Sequence, residues 1–137
     1  VALLSYRGGP AYCLTQQDNE ELKDDLFKRR VHSYQRYQGE KLRRRFNAYS
    51  YYRVSQAVDS HDIGRGRGGV VEALKAIKSR TFVVGITSDI LFTEVENRYL
   101  ADNIAGSHYH LIDSSFGHDG FLVEAESLNK LILEFIN

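Results

Sequence analysis

The chain has 137 residues, of which 42% are hydrophobic and 26% charged, and its 18 basic residues balance 18 acidic ones. This length and composition fit one folded domain and exclude a disordered charged tail. The single Cys13 excludes a disulfide framework and a paired-thiol zinc site, so we expect a cytoplasmic protein. No apolar run reaches the roughly 18 to 20 residues of a membrane span, so we expect no membrane contact.

Charge and apolar spacing both change near Gly68. The stretch 28–67 holds eleven basic residues against three acidic ones, whereas 68–137 carries five basic and ten acidic residues. In the first part, apolar and aromatic residues such as Leu26, Tyr34 and Phe46 mostly recur at helical spacings. We therefore expect a helical segment with breaks over 1–67, whose first six residues fit either a strand or a helix end. An α/β segment over 68–137 follows it.

Helices and strands alternate in this second part. The pattern predicts a helix from Val70 to Ile77, a buried strand over 81–86, a second helix that begins at Thr93, and a second strand over 107–112. A closing helix places Phe121, Ala125, Leu128, Ile132 and Phe135 in one continuous apolar stripe. Such alternation with short loops favours parallel strands. Two strands are too few for such a sheet, so we expect the remaining strands upstream of Val1.

Polar side chains follow both predicted strands. Asp89 comes after the first strand, and His118 comes after the second. Functional groups gather at the carboxyl ends of parallel strands, and an acid followed by a histidine is the chain order of the α/β-hydrolase triad. The carboxylate would orient the imidazole while the imidazole exchanges a proton with the nucleophile. Simpler roles are open as well: Asp89 can cap the following turn, and His118 can bond to the backbone.

Several motifs resemble one family. "SDILF" and "GHDGFL", with "SYQRYQGEKLRRRFNAYSY" and "AVDSHDIGRGRGG", resemble the C-terminal part and the lid region of the homoserine O-acetyltransferases, which are α/β-hydrolases. The resemblance covers nearly the whole chain. It implies that Asp89 and His118 are the triad acid and base and that Asp119 binds the substrate, its carboxylate facing the α-ammonium group. The alternative role for Asp119 is to cap the final helix.

The resemblance also implies a reaction. The whole protein would transfer an acetyl group from acetyl-CoA, a co-substrate and not a permanently bound cofactor, to L-homoserine in methionine biosynthesis. No Gly-x-Ser-x-Gly elbow occurs in the chain, so we expect the nucleophile upstream and the isolated fragment inactive. The alternatives are a serine O-acyltransferase, a homoserine O-succinyltransferase, an esterase or a non-catalytic interaction fragment. The lid helices of 1–67 are our candidate for a homodimer contact.

Three further patterns have more than one interpretation. "GRGRGG", at 64–69, matches a dinucleotide fingerprint, but helical sequence precedes it where a strand is required, which favours a join between lid and core. His108 and His110 share one face of the second strand, but no third ligand is evident, so we expect no metal site. The basic, tyrosine-rich stretch 28–52 suits a solvated face, a lid or dimer contact, or the phosphates of coenzyme A. We expect no nucleic-acid partner there.

Overall fold

A computed structural model of the chain describes residues 5–18 and 29–137. The chain divides into two compact units, one made of Val1–Tyr12 with Ile63–Asn137 and the other of Cys13–Asp62. The division predicted at 67/68 and the lid role of the first part stay predictions. What the sequence predicts for residues 1–4, Leu26 and Lys28 lies outside the described residues.

The unit Cys13–Asp62 is helical where it is described. Helix α1 spans Gly9–Gln16 and begins in the other unit, whereas α2 (Arg30–Arg45) and α3 (Ala48–Asp59) lie within this one. The break between α2 and α3 is set by Asn47, whose Oδ1 accepts the N–H of Ser50 as an N-cap. The helices with breaks that were predicted over 1–67 are thus present where the chain is described. Among the described residues, no helix has the length and apolar character needed to cross a membrane.

The other unit has α/β architecture. Its elements are α4 (Val70–Lys75), β1 (Phe82–Ile86), α5 (Glu94–Asn103), β2 (His108–Ile112), α6 (Gly120–Val123) and α7 (Ala125–Ile136). The two strands pair in parallel, with Phe82 opposite His108 and Ile86 opposite Ile112. The predicted fold class, two parallel strands with flanking helices in an incomplete sheet, is therefore confirmed.

Local sequence explains the ends of these elements. The carboxylate of Glu96 accepts hydrogen bonds from the N–H and the hydroxyl of Thr93, both at 2.9 Å, so the predicted capping box begins α5. The carboxyl ends of the strands are buried at Ile86 and Ile112, beside a small core that includes Leu74. This packing fixes the point at which β1 and β2 end and their loops begin.

The end of the chain differs from the predicted single helix. The backbone of Glu124, at φ −86° and ψ 33°, separates α6 from α7. Gly120, which begins α6, lies so close to β1 that a Cβ there would come within 2.8 Å of Ile86 Cγ2. Helix α6 is thus packed against β1 at its start, and α7 is a separate helix after the break. As a result the stripe is uneven: Leu128 is half-buried, whereas Phe121 and Ile132 are exposed.

The glycine-rich segment 64–69 forms a tight loop between α3 and α4. Its first residue, Gly64, is buried, and its carbonyl accepts the N–H groups of Arg67 (2.9 Å) and Gly69 (3.3 Å). A helix precedes the segment where the dinucleotide fingerprint requires a strand. The structure therefore favours the interpretation as a join over the interpretation as a phosphate loop.

Candidate active site

Asp89 lies in the turn that follows β1, and its two carboxylate oxygens have different partners. Oδ1 accepts the backbone N–H groups of Leu91 (2.8 Å) and Phe92 (3.1 Å). Oδ2 lies 2.8 Å from Nδ1 of His118. Both roles considered for Asp89 are thus present together: one oxygen caps the turn and holds the carboxylate in place, while the other faces the histidine.

His118 lies in a single 3₁₀ turn, Gly117–Asp119, after β2. Three aromatic rings surround its imidazole, with centroid distances of 5.7 Å to Tyr6, 5.2 Å to Phe92 and 5.5 Å to Phe121. Its Nδ1 bonds to a side chain, Asp89, and this contact leaves Nε2 as the nitrogen for proton transfer. The rings restrict the imidazole to one orientation, which is what a catalytic base requires.

The carboxyl of Asp89 is held in its ionised form. Burial of the side chain opposes ionisation and by itself raises the pKa, because a charge is less stable away from water. The hydrogen bond from His118 and the backbone N–H groups of Leu91 and Phe92 outweigh burial, so the pKa is lowered from its ordinary value. Asp89 is therefore an anion at neutral pH and can stabilise a protonated imidazole.

Asp119, the residue after the histidine, is fixed by the segment Tyr6–Gly8. Its backbone N–H donates to the carbonyl of Tyr6 at 2.8 Å, and its Oδ2 lies 3.4 Å from Nε of Arg7. Its side chain makes no capping hydrogen bond to α6. The alternative role as a helix cap is therefore not observed, and Asp119 is half of an ion pair beside His118.

The same segment packs against the histidine loop through two glycines. Gly8 is buried, and a Cβ there would lie 1.9 Å from the carbonyl oxygen of Ser115. On the other side of this contact, a Cβ at Gly117 would lie 2.4 Å from the backbone nitrogen of Gly8, and Gly117 has φ +66°. Backbone contacts this close exclude any side chain at either position.

We expect Gly8→Ala to destabilise the fold by about 1–3 kcal/mol, since the methyl group would collide with backbone and no flexible side chain can move aside. Denaturant unfolding of the intact protein measures the change. Gly9→Ala is a matched control, because nothing lies within 4 Å of a Cβ at Gly9. Equal stability of the two variants would contradict the packing described for Gly8.

A small apolar cavity adjoins the pair of Asp89 and His118. Its volume is about 210 Å³. It is lined by Val84, Ile86, Asp89, Phe92, Asn97, His118, Phe121 and Leu128. The apolar lining keeps water from part of the imidazole and strengthens the electrostatic interaction between the carboxylate and the histidine.

Curated proteins of one name match this chain along almost all of its length. It is 45% identical over 135 residues to a homoserine O-acetyltransferase of Cyclobacterium marinum, covering 98% of this chain and 38% of that protein. It is 39% identical over 142 residues to a homoserine O-acetyltransferase of Thermobifida fusca, covering 99% of this chain and 37% of that protein. The chain is a homologue of the homoserine O-acetyltransferase family. It spans little more than a third of the length of these relatives.

Solved structures agree on the fold of this homoserine O-acetyltransferase homologue. Esterase E22 superposes with a TM-score of 0.80 at 13% identity, over 99% of this chain and 40% of that one. MGS-M2, an α/β-hydrolase from a deep-sea metagenome library, gives 0.65 at 17% identity, over 98% of this chain and 42% of that one. No protein-family model matches the chain. The predicted α/β-hydrolase fold is confirmed.

The structure brings the three predicted site residues of this homologue together and adds others. Asp89 and His118 are in contact at the carboxyl ends of β1 and β2, and Asp119 directly follows His118 in the same 3₁₀ turn. Two residues that the sequence did not predict also lie at this site: Tyr6 contacts His118 and Arg7 contacts Asp119, each from more than 110 positions away in the chain. No sequence pattern near Tyr6 signals this contact, because short-range periodicity carries no information about such distant pairs.

His108 and His110, the metal alternative, do not join this site. Both are exposed on β2, and the ring of His108 lies 5.6 Å from that of Phe135. Within residues 5–18 and 29–137, no group of three His, Cys, Asp or Glu side chains is arranged to hold a metal ion.

Proposed function

We propose that the whole protein transfers an acetyl group from acetyl-CoA to the hydroxyl of L-homoserine, a step of methionine biosynthesis. The single observation that carries this proposal is the 2.8 Å contact between Asp89 Oδ2 and His118 Nδ1 at the strand ends of a homoserine O-acetyltransferase homologue. We assign Asp89 as the triad acid and His118 as the base. A serine from another part of the protein is the proposed nucleophile.

In the first half-reaction, Nε2 of His118 takes the proton of the serine hydroxyl, and the serine oxygen attacks the thioester carbonyl. The carbon–sulfur bond then breaks, the acetyl group remains on the serine, and the coenzyme A thiolate leaves with the proton from His118. Asp89 stabilises the imidazolium that exists between these two proton transfers. Its lowered pKa supports this role, since only the ionised form attracts a cation.

In the second half-reaction, His118 takes the proton of the homoserine hydroxyl, whose oxygen attacks the acyl-enzyme. The ester bond to the serine breaks, and the serine oxygen recovers its proton from His118. We assign the α-ammonium group of homoserine to Oδ1 of Asp119, because Arg7 already contacts Oδ2. A carboxylate next to the base would hold the amino acid with its hydroxyl near the imidazole.

Substrate comparison in the intact enzyme tests this function. Acetyl-CoA and succinyl-CoA would each be supplied with L-homoserine, with L-serine, and with no amino acid, and ester formation and thioester loss would be measured. We expect O-acetylhomoserine as the main product. Preferential succinyl transfer, transfer to serine, or simple hydrolysis would replace the proposal with one of the alternatives on the same scaffold.

The 137 residues alone are proposed to be inactive and to act at most as an interaction fragment. They contain no nucleophile elbow, and α7 exposes Ile132, Leu133 and Ile136. Exposed apolar surface of this kind favours self-association. Sedimentation and an acetyl-transfer assay of the isolated chain test this together. A monodisperse monomer with measurable turnover would contradict it.

A homodimer through the helices of the first part is a further element of the proposal, as is a cytoplasmic location. Tyr51, Val54 and Val58 lie at helical spacing on α3, and all three are exposed. We expect Val58→Arg to shift the intact protein from dimer to monomer in sedimentation velocity, because a buried unpaired charge disfavours an interface. Gln56→Arg on the same helix is the control, since Gln56 lies on another face. An unchanged dimer in Val58→Arg would place the contact elsewhere.

A further inference from the structure

Two hydroxyl side chains lie between the end of β1 and the acid Asp89. They belong to Thr87 and Ser88, and both reach across to the loop that follows β2. The backbone N–H of Thr87 also donates to Ile112 at 3.0 Å, which continues the parallel pairing one step beyond the strands. The two loops that carry the acid and the base are thus joined by side chains where the sheet ends.

The hydroxyl of Ser88 makes two bonds to the histidine loop. It donates to the carbonyl of Ser114 at 2.5 Å and accepts the backbone N–H of Gly117 at 2.8 Å. Gly117 is buried, so its N–H would lack a partner without this oxygen. A hydroxyl can donate and accept at once, and an alanine at this position could do neither.

These bonds run beside the contact between acid and base. Ser88 precedes Asp89 in the chain, and Gly117 precedes His118. The pairs Ser88–Gly117 (2.8 Å) and Asp89–His118 (2.8 Å) are therefore two neighbouring links between the same two loops. We propose that Ser88 is a positioning residue of the triad, whose hydroxyl fixes the backbone of Gly117 so that the imidazole of His118 meets Asp89.

Thr87 has a different partner set, which separates its role from that of Ser88. Its hydroxyl lies 3.0 Å from Asp113 Oδ1 and 3.2 Å from the carbonyl of Ser114, and it accepts the N–H of Ser114 at 3.1 Å. These bonds fix the start of the loop, four residues before His118. Ser88 acts on the residue directly before the imidazole and so controls its position more closely.

The inference rests on the proposed function, and its test separates the two. Acylation of the intact enzyme by p-nitrophenyl acetate, a donor that requires no homoserine, reports the triad whichever acceptor the enzyme uses. The downfield proton resonance of His118 Nδ1 in ¹⁵N-histidine-labelled protein reports the contact with Asp89 without any turnover. If the proposed function is wrong, the enzyme uses another acceptor, and both readouts still report on the triad. If this inference is wrong, substitution at Ser88 leaves the acylation rate and the His118 resonance unchanged.

We expect Ser88→Ala to slow acylation by about tenfold to a hundredfold, as expected for loss of a buried hydrogen-bonding partner, and to leave the apparent affinity for the donor unchanged. The Nδ1 proton signal of His118 is expected to weaken through exchange with water. Ser88→Thr keeps a hydroxyl and is expected to restore most of the rate. Ser115→Ala, an exposed serine of the same loop, is the matched control and is expected to keep the natural rate.

In Ser88→Cys the side chain keeps nearly the same volume, but sulfur, a poor hydrogen-bond acceptor, replaces the oxygen. The acylation rate and the His118 signal are measured for this variant as well. This variant answers the question if Ser88→Ala does not fold. A rate in Ser88→Cys equal to that of Ser115→Ala would overturn the inference, as would an unaltered His118 signal in a folded Ser88→Ala protein. Slow acylation with a weakened signal in either variant supports it.

Discussion

Replacement of His118 by alanine is expected to abolish both half-reactions of the intact enzyme and to lower turnover by about 10⁴-fold or more. The reason is that the imidazole transfers protons in both directions, first from the nucleophile to the departing thiolate and then from homoserine back to the nucleophile. The rings of Phe92 and Phe121 beside His118 carry no basic group. They cannot replace the imidazole as a base.

The two half-reactions can be measured separately. Mass spectrometry after mixing with acetyl-CoA alone detects the acyl-enzyme, and product analysis with homoserine detects transfer. His110→Ala is a suitable control, because His110 is an exposed histidine on β2, outside the site. Turnover of the His118→Ala protein within about a hundredfold of the natural enzyme would exclude His118 as the base, since general acid–base catalysis alone contributes about that much.

Much of the α/β unit was predictable because its signals are local. The β-branched run of β1 predicts a buried strand by itself, and the spacing of Thr93 and Glu96 predicts a helix start by itself. The positions of Asp89 and His118 follow from these elements, since each comes a few residues after a strand and parallel strands end at the same edge. The candidate pair could therefore be predicted before any contact was known.

The parts that could not be predicted depend on contacts between distant segments. The turn that carries His118 is held by Gly8 on one side and by Ser88 on the other. A glycine that touches the backbone of Ser115 across more than 100 positions looks like any other glycine in the sequence. The break at Glu124 is likewise absent from the sequence pattern, because the apolar spacing continues through it without interruption.

Asp89→Asn is expected to lower turnover nearly as much as loss of the histidine, by about 10⁴-fold, although the substitution only replaces one carboxylate oxygen by an NH₂ group. The structure supplies the reason. The N–H groups of Leu91 and Phe92 require an oxygen at the position of Oδ1, so the amide nitrogen of an asparagine would face His118. That nitrogen donates a hydrogen bond to Nδ1, which must then carry no proton. The imidazole proton therefore lies on Nε2, where it blocks acceptance of the serine proton.

The opposite orientation of the asparagine amide is also unfavourable. With its oxygen towards Nδ1, the amide nitrogen would meet the two backbone N–H groups as a third donor, and the turn after β1 would lose both acceptor contacts. The rate of acylation in Asp89→Asn measures the first effect, and unfolding by denaturant measures the second. Asp113→Asn, at the end of the neighbouring strand, is the matched control, because its amide oxygen can still accept from Thr87. A slow variant of unchanged stability indicates the blocked tautomer, whereas an active Asp89→Asn enzyme would mean that Asp89 only caps its turn.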